Sequence, residues 1–472
     1  MPKETFSEKL REFLGRETLS LTEDQEYALG QFMKFYRSKE EKCAFVLTGS
    51  AGTGKTFLID IFTELLRRVG FRIVLLAPTG RAAKVVTART NRTAFTIHHR
   101  MYSVNDAGGM VSFELRKNKD PERTVYIVDE ASMIGDKADE TTSQGLLFGL
   151  LNFVYSNNTA RKLILVGDPV QLPPIGHKNS PALDTDYLST KCGLDVFHAH
   201  LSEVKRQALD SGVLENAISI RDAYLSEEAL MPELTEGYDV MSLENGYEGI
   251  ETYTSYFEQG NLDQVIFITY SNFRATKISQ ALRYALYESE ELLIPGDLLM
   301  VVKNNYNWGK KNFPFIANGE MGILQEIVED SYEEKYGLKW LDVVIEFQNG
   351  KGEGIPISCK VMLDLLLDKR PQLDNRTQWL LLQQRRREYM DASPSEQREL
   401  LQSDPYVHAL QVKYGYAVTG HKAQGGQWKN VIIGFEPNYS NDLNAYLRWT
   451  YTVFTRAEER VFMLECPFIE RF

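Results

Sequence analysis

The chain has 472 residues, 43% of them hydrophobic, and a formal net charge of -12. That length allows roughly two to four domains, and no window reaches the ~18 consecutive apolar residues of a bilayer-crossing helix. The acidic total counts against a basic nucleic-acid surface but not against a local basic groove. The first residues, Met1-Pro2-Lys3-Glu4-Thr5-Phe6, lack the apolar core of a secretory leader. Cys43, Cys192, Cys359 and Cys466 lie far apart. They argue against a disulfide framework or a zinc ribbon and fit a reducing cytosol.

In chain order, the first strong signal is the apolar run 43–47, then Gly49-Ser50-Ala51-Gly52-Thr53-Gly54-Lys55-Thr56, then a helical pattern to about Val69. Strand, glycine-rich loop and helix in that order predict a nucleoside-triphosphate site. The glycines let the backbone curl so that successive N–H groups face phosphate oxygens, and the helix N-terminus adds partial positive charge. Lys55 reaches the β- and γ-phosphates, and the Thr56 hydroxyl ligates Mg²⁺.

Further apolar runs at 71–77, 124–128 and 162–166 alternate with helical patterns. They predict a parallel sheet covered on both faces. Asp129-Glu130 ends the third run: one carboxylate to hold Mg²⁺ through water, its neighbour to orient or deprotonate the attacking water. Gly167-Asp168-Pro169-Val170-Gln171 ends the fourth, which lets Gln171 touch the γ-phosphate or its water. Between the second and third runs, the polar stretch 101–123 contains Asp106-Ala107-Gly108-Gly109 and predicts a projecting hairpin. Phe113, its sole Phe, either stacks on a base or anchors the hairpin.

A second alternating block begins near 201, with a strand at 265–270, a helix at 272–287 and strands at 431–435 and 460–464. Four β-like runs, 298–302, 322–328, 341–347 and 355–361, predict a small inserted barrel, and 366–410 is charged and helix-prone. Arg206 and Arg456 lie outside the first sheet. Guanidinium donors there suit a γ-phosphate approached from the far side, a surface salt bridge being the plainer alternative. Trp308, beside Lys310 and Lys311, is either a strand contact or a loop Trp packed on the barrel.

The ordered set resembles superfamily 1 helicases of the RecD/Dda type. The matching stretches are Gln25 in Leu21-Thr22-Glu23-Asp24-Gln25, the phosphate loop, Ala77-Pro78-Thr79-Gly80-Arg81-Ala82-Ala83-Lys84, Thr96-Ile97-His98, Asp129-Glu130-Ala131-Ser132-Met133, 167–174, 201–206, 419–425 and 451–457. The resemblance implies an α/β fold of two tandem RecA-like P-loop domains. A small hairpin is inserted in the first, and an SH3-like β-barrel with a helical extension in the second. The boundaries expected are 1–200, then 201–294 with 411–472, and the insert at 295–410.

The same resemblance implies site roles. Gln25 would read the adenine edge. Gly49, Gly52, Thr53, Gly54, Lys55, Thr56, Asp129 and Glu130 would handle ATP and Mg²⁺, with Thr56 and Asp129 toward the metal. Gln171, Arg206 and Arg456 would sense and stabilise the γ-phosphate. Pro78, Thr79, Arg81, Thr96, His98, His421 and Lys422 would lie along single-stranded DNA, with Phe113 as a pin at the duplex junction. The implied activity is ATP-driven DNA unwinding with 5′-to-3′ travel, by a monomer in a bacterial or phage-infected cytoplasm. It would work away from membranes, beside replication or recombination proteins such as a single-strand-binding protein. Three alternatives stay open: a translocase that strips proteins without separating strands, an RNA helicase, and a ring-forming ATPase acting on protein.

Overall fold

The computed structural model describes residues 15, 21–106, 111–138, 144–156, 160–204, 211–226, 231–310, 313, 316–349, 352–436 and 442–469. It divides into two compact units. The first holds Met1–Pro78, Val86–Ser103 and Leu115–Ile218; the second holds Thr79–Val85, Val104–Glu114 and Ser219–Phe472.

The first element among the described residues is α1 (Glu23–Arg37), which starts at a capping box. Thr22 Oγ1 accepts from the Gln25 N–H, and Gln25 Oε1 accepts from the Thr22 N–H, both at 3.3 Å. Then come β1 (Cys43–Gly49), α2 (Lys55–Arg68), β2 (Arg72–Ala77), α3 (Gly80–Thr90), β3 (Ala94–Thr96) and α4 (Ile97–Met101). After β4 (Tyr102–Asp106) and β5 (Val111–Leu115) follow β6 (Thr124–Val128), α5 (Leu146–Tyr155), β7 (Lys162–Gly167), α6 (Thr185–Thr190), β8 (Asp195–Leu201) and α7 (Gly212–Leu225).

Six strands form one parallel sheet in the order β3-β2-β6-β7-β1-β8. Every residue of β1, β6 and β7 is buried, as expected of strands covered on both faces. On one face Phe32 of α1 stacks on Phe62 of α2, ring centroids 4.2 Å apart, and Phe45 of β1 meets Phe62 edge-on at 5.6 Å. Parallel strands put their C-terminal ends on one edge, so the phosphate loop, Asp129 and Asp168 emerge there together. β4 and β5 pair as the expected hairpin; its tip, 107–110, and the side chain of Phe113 lie outside the described residues.

In the second unit β9 (Val240–Leu243), α8 (Gly246–Tyr256), β10 (Val265–Thr269) and α9 (Asn272–Tyr287) precede the barrel strands. These are β11 (Leu298–Val301), β12 (Met321–Ile327), β13 (Glu333–Lys335), β14 (Leu338–Gln348) and β15 (Gly354–Met362). After α10 (Asn375–Glu388) and α11 (Pro394–Gln402) come β16 (Leu410–Tyr414), β17 (Ala417–Thr419), α12 (Gly420–Ala423), β18 (Trp428–Gly434), α13 (Leu443–Phe454) and β19 (Ala457–Leu464). The second parallel sheet has the order β17-β10-β18-β19-β9.

The barrel runs β12-β11-β16-β15-β14 and closes through β12–β14 pairing. β16 lies parallel to β15 and antiparallel to β11, so the barrel takes its last strand from beyond the two helices. Trp308 Nε1–H donates to the His408 carbonyl at 2.7 Å, which makes it a packed loop Trp. Among the described residues no helix is long and apolar enough to cross a membrane.

Candidate functional site

The loop from β1 to α2 turns on Gly52 (φ 77°) and Gly54 (φ 91°). Left-handed backbone costs a residue with a Cβ roughly 1–2 kcal/mol. Gly54 is also crowded: a Cβ there would lie 2.5 Å from Gln25 Nε2. As N-cap of α2 it offers no side-chain acceptor, and the first turn of α2 holds no acid. The first N–H groups of α2 are therefore left for an anion. Lys55 Nζ folds back over the loop and donates to the Gly49 and Ser50 carbonyls, at 2.7 and 2.9 Å. Thr53 Oγ1 donates to the Ser50 carbonyl at 2.9 Å.

Gln25, expected at the adenine edge, is fully buried and supports the loop. Its Nε2 donates to the Thr53 carbonyl at 3.0 Å while its Oε1 serves the capping box. Both ends of its amide are committed to protein.

At the end of β6, the Asp129 N–H donates to the Leu76 carbonyl and its Oδ1 accepts from the Glu130 N–H at 2.9 Å. Burial, and then the charge of Glu130, push the Asp129 carboxyl up to about 6; Lys55 and Arg89 pull the other way. Glu130 has φ 53°, an uncommon conformation for a residue with a side chain. Arg89 of α3 is a site residue that the sequence did not announce: its guanidinium donates to Thr56 Oγ1 at 3.4 Å. At the end of β7, Asp168 Oδ1 accepts from the Val170 N–H at 3.0 Å, and Gln171 is buried.

Hard oxygens on Thr56 and Asp129, an uncapped helix N-terminus and a curled glycine backbone fit a Mg²⁺-nucleotide. Among the described residues no cluster of three or more His, Cys, Asp and Glu side chains could hold a metal. An ion here would therefore complete its shell from nucleotide and water.

Of the expected strand contacts in the first unit, Pro78 is half-buried at the end of β2. Thr96 caps α4, its Oγ1 accepting from the His99 N–H at 3.2 Å. The His98 ring lies 5.7 Å from that of Tyr102.

In the second unit, Thr79 Oγ1 accepts from the Ala82 N–H at 3.2 Å. Arg81, expected along the strand, has its guanidinium 3.8 Å from the Trp428 ring centroid and 2.9 Å from Asp263 Oδ1. These are a cation–π contact and an ion pair within the second unit. His421 is exposed. Lys422 Nζ is buried without a hydrogen-bond partner, and burial lowers its pKa to about 8. Lys413 of β16 lines the same small cleft and is lowered to about 8 by burial. The signal for it was a lysine between Val412 and Tyr414 in a short β-like run.

Arg456 is buried in the second unit, donating to the Thr452 and Gly426 carbonyls at 3.0 and 3.2 Å. Arg206 lies outside the described residues.

Residues 36–177 match a model described as an AAA domain, and 414–464 match a UvrD-like helicase C-terminal domain. The chain is 23% identical to an uncharacterized protein of Methanocaldococcus jannaschii over 89% of its own length, and spans 36% of that relative. It is 26% identical to the ATP-dependent DNA helicase dda of Enterobacteria phage T4, covering 67% of this chain and 69% of that one. A structure of Pif1 helicases at forked double-stranded DNA superposes with a TM-score of 0.48 at 17% identity, covering 96% of this chain and 93% of that one. The two domain matches and these relatives make the chain similar to the superfamily 1 helicases of the RecD/Dda type.

Proposed function

We propose that the protein is an ATP-dependent DNA helicase that travels 5′ to 3′ on single-stranded DNA and separates duplex strands. The carrying observation is the loop with its paired strand-end carboxylates in the first unit, on a chain similar to this helicase family. Bound Mg²⁺ would supply charge neutralisation at the β- and γ-phosphates. Lys55 exchanges its two carbonyl partners for phosphate oxygens, and the N–H groups at the start of α2 take the remaining charge. Glu130 accepts the proton of the water that attacks the γ-phosphorus as the bond to the β-phosphate oxygen breaks and ADP leaves.

Arg206, Arg456 and Gln171 are assigned to the γ-phosphate. Pro78, Thr79, Thr96, His98, His421 and Lys422 are assigned to the tracked strand, and Phe113 to the junction. The direction of travel, the monomeric state, the cytoplasmic setting and work beside a single-strand-binding protein rest on family resemblance, as do the boundaries 1–200, 201–294 with 411–472, and 295–410.

The test is ATP-driven unwinding of two duplexes, one with a 5′ tail and one with a 3′ tail, beside Lys55→Ala. Unwinding of the 5′-tailed duplex alone, absent in the variant, is expected. Preference for the 3′ tail overturns the polarity. ATPase stimulated by single strands with neither duplex opened leaves a translocase instead.

A further inference from the structure

β5 leads directly into Arg116-Lys117-Asn118-Lys119-Asp120. The Arg116 N–H donates to the Met101 carbonyl at 2.8 Å and closes the foot of the β4–β5 hairpin. Beside that foot, within the first unit, is a cleft of about 490 Å³ lined by Arg100, Arg116, Lys117, Lys119, Asp120 and Phe153 among others. Four cations and one carboxylate line it, in a chain whose net charge is -12.

The floor is rigid. The Asp120 carboxylate accepts from Arg100 at 2.5 and 2.6 Å and from the Tyr126 hydroxyl at 2.5 Å, with Arg72 at 3.5 Å. Arg161 donates to the Asp120 carbonyl at 2.6 Å, and the Asn118 amide nitrogen donates to the Phe153 carbonyl at 2.9 Å. The single acid is therefore already neutralised by two guanidinium groups. Arg100 Nε is buried without a hydrogen-bond partner. Arg116, Lys117 and Lys119 are exposed; Arg116 and Arg100 both help to lower the pKa of His99, behind the effect of burial.

We propose that this cleft takes the phosphodiester backbone of the displaced strand as it leaves the duplex at the hairpin. The inference rests on the helicase reading above. The polyanion is chosen because the cleft is cationic, water-accessible and built on a fixed floor, while the surrounding chain is acidic. The displaced strand is chosen because none of the residues assigned to the tracked strand lines this cleft. Residues 116–119 reach at most ~10 Å, enough for a few phosphates.

The variant is Arg116→Ala with Lys117→Ala and Lys119→Ala, all exposed and outside the nucleotide site. Its binding is read by anisotropy against a fork with two arms, the same duplex with one 5′ tail, and a single strand, each over a range of salt. The unmodified protein is expected to bind the fork more tightly than the tailed duplex, with a steeper salt slope. The variant should lose that advantage and about 2 units of the fork's slope, since each single-strand contact contributes ~0.7. Its single-strand-stimulated ATPase should be unchanged. The swap Arg116→Lys, Lys117→Arg, Lys119→Arg should keep the advantage.

Equal affinity of the unmodified protein for fork and tail, or a variant that keeps the fork advantage, overturns the proposal. A variant weakened equally on all three substrates overturns it too, by assigning the cleft to the tracked strand. Absence of single-strand-stimulated ATPase in both proteins sinks the helicase reading itself.

Discussion

Asp129 sits where function and stability oppose each other. Its carboxyl ionises near pH 6 in the fold, against 3.8 for an ordinary aspartate. The folded protein therefore holds more protons than the unfolded chain between those values. Stability falls as pH rises through that window, and the cost is fully present above about pH 6. Asn at this position keeps the acceptor for the Glu130 N–H and removes the charge. Asp129→Asn is expected to melt higher than the unmodified protein at neutral pH without nucleotide. The gain is at most about 3 kcal/mol, at ~1.4 kcal/mol per pKa unit, and should fade toward pH 4 as Asp129 is protonated. With Mg²⁺ and ADP the order should reverse. Thermal unfolding under these conditions decides it; a variant no more stable at neutral pH would falsify the account. The D-E pair was legible in the sequence as chemistry. Its mutual repulsion was not, because it needs the burial that only the folded sheet supplies.

The elements follow the same rule: what depends on local sequence was readable, and what depends on a distant partner was not. Strands β1, β6 and β7 were found because they are continuous apolar runs. β8, Asp-Val-Phe-His-Ala-His-Leu, was missed because an edge strand that alternates with histidines carries little hydrophobic signal; its Thr48 partners, His198 and His200, stand 3.0 and 2.9 Å from that hydroxyl. The barrel was expected, but its last strand, β16, is separated from the others by α10 and α11.

Gln25 and Arg81 carried motif-based roles, and the structure gives both of them packing partners that no spacing reveals. The Gln25 contact makes Gly54 doubly constrained, by its positive φ and by the amide beneath it. Gly54→Ala should fold, with nucleotide affinity reduced about 5- to 30-fold, since strain of roughly 1–2 kcal/mol falls on the loop itself. Fluorescent-ADP titration reads this, and unchanged affinity would remove the argument.

The basic run Arg385-Arg386-Arg387 looks like a solvated face, yet Arg385 is buried and pairs with fully buried Asp404 at 2.6 Å. Tyr336 and Tyr389 also receive hydrogen bonds from it. Arg385→Ala strands the Asp404 charge and should cost about 3–5 kcal/mol. Arg385→Met with Asp404→Leu should recover most of it, because the buried pair must offset its own desolvation. If the double variant melts no higher than the single one, the loss is one of packing, and the charge argument fails.

At the scale of the whole molecule the acidic balance becomes a kinetic statement. On the proposed helicase function, a net charge of -12 repels a polyanion at long range, while a few local cations hold its phosphates. The two effects act at different distances. Long-range repulsion is screened once the Debye length falls to ~10 Å or less, whereas phosphate contacts weaken through counterion release as salt rises. Rising salt should therefore leave the association rate with a labelled single strand flat or slightly faster, and put nearly all of the loss of affinity into faster dissociation. A protein with a basic surface behaves oppositely, because salt removes its electrostatic steering. Stopped-flow mixing across a salt series separates the two rates. An association rate that drops steeply with salt would mean that the cations dominate the far field, and that counting formal charges over the sequence misjudges how this chain meets DNA.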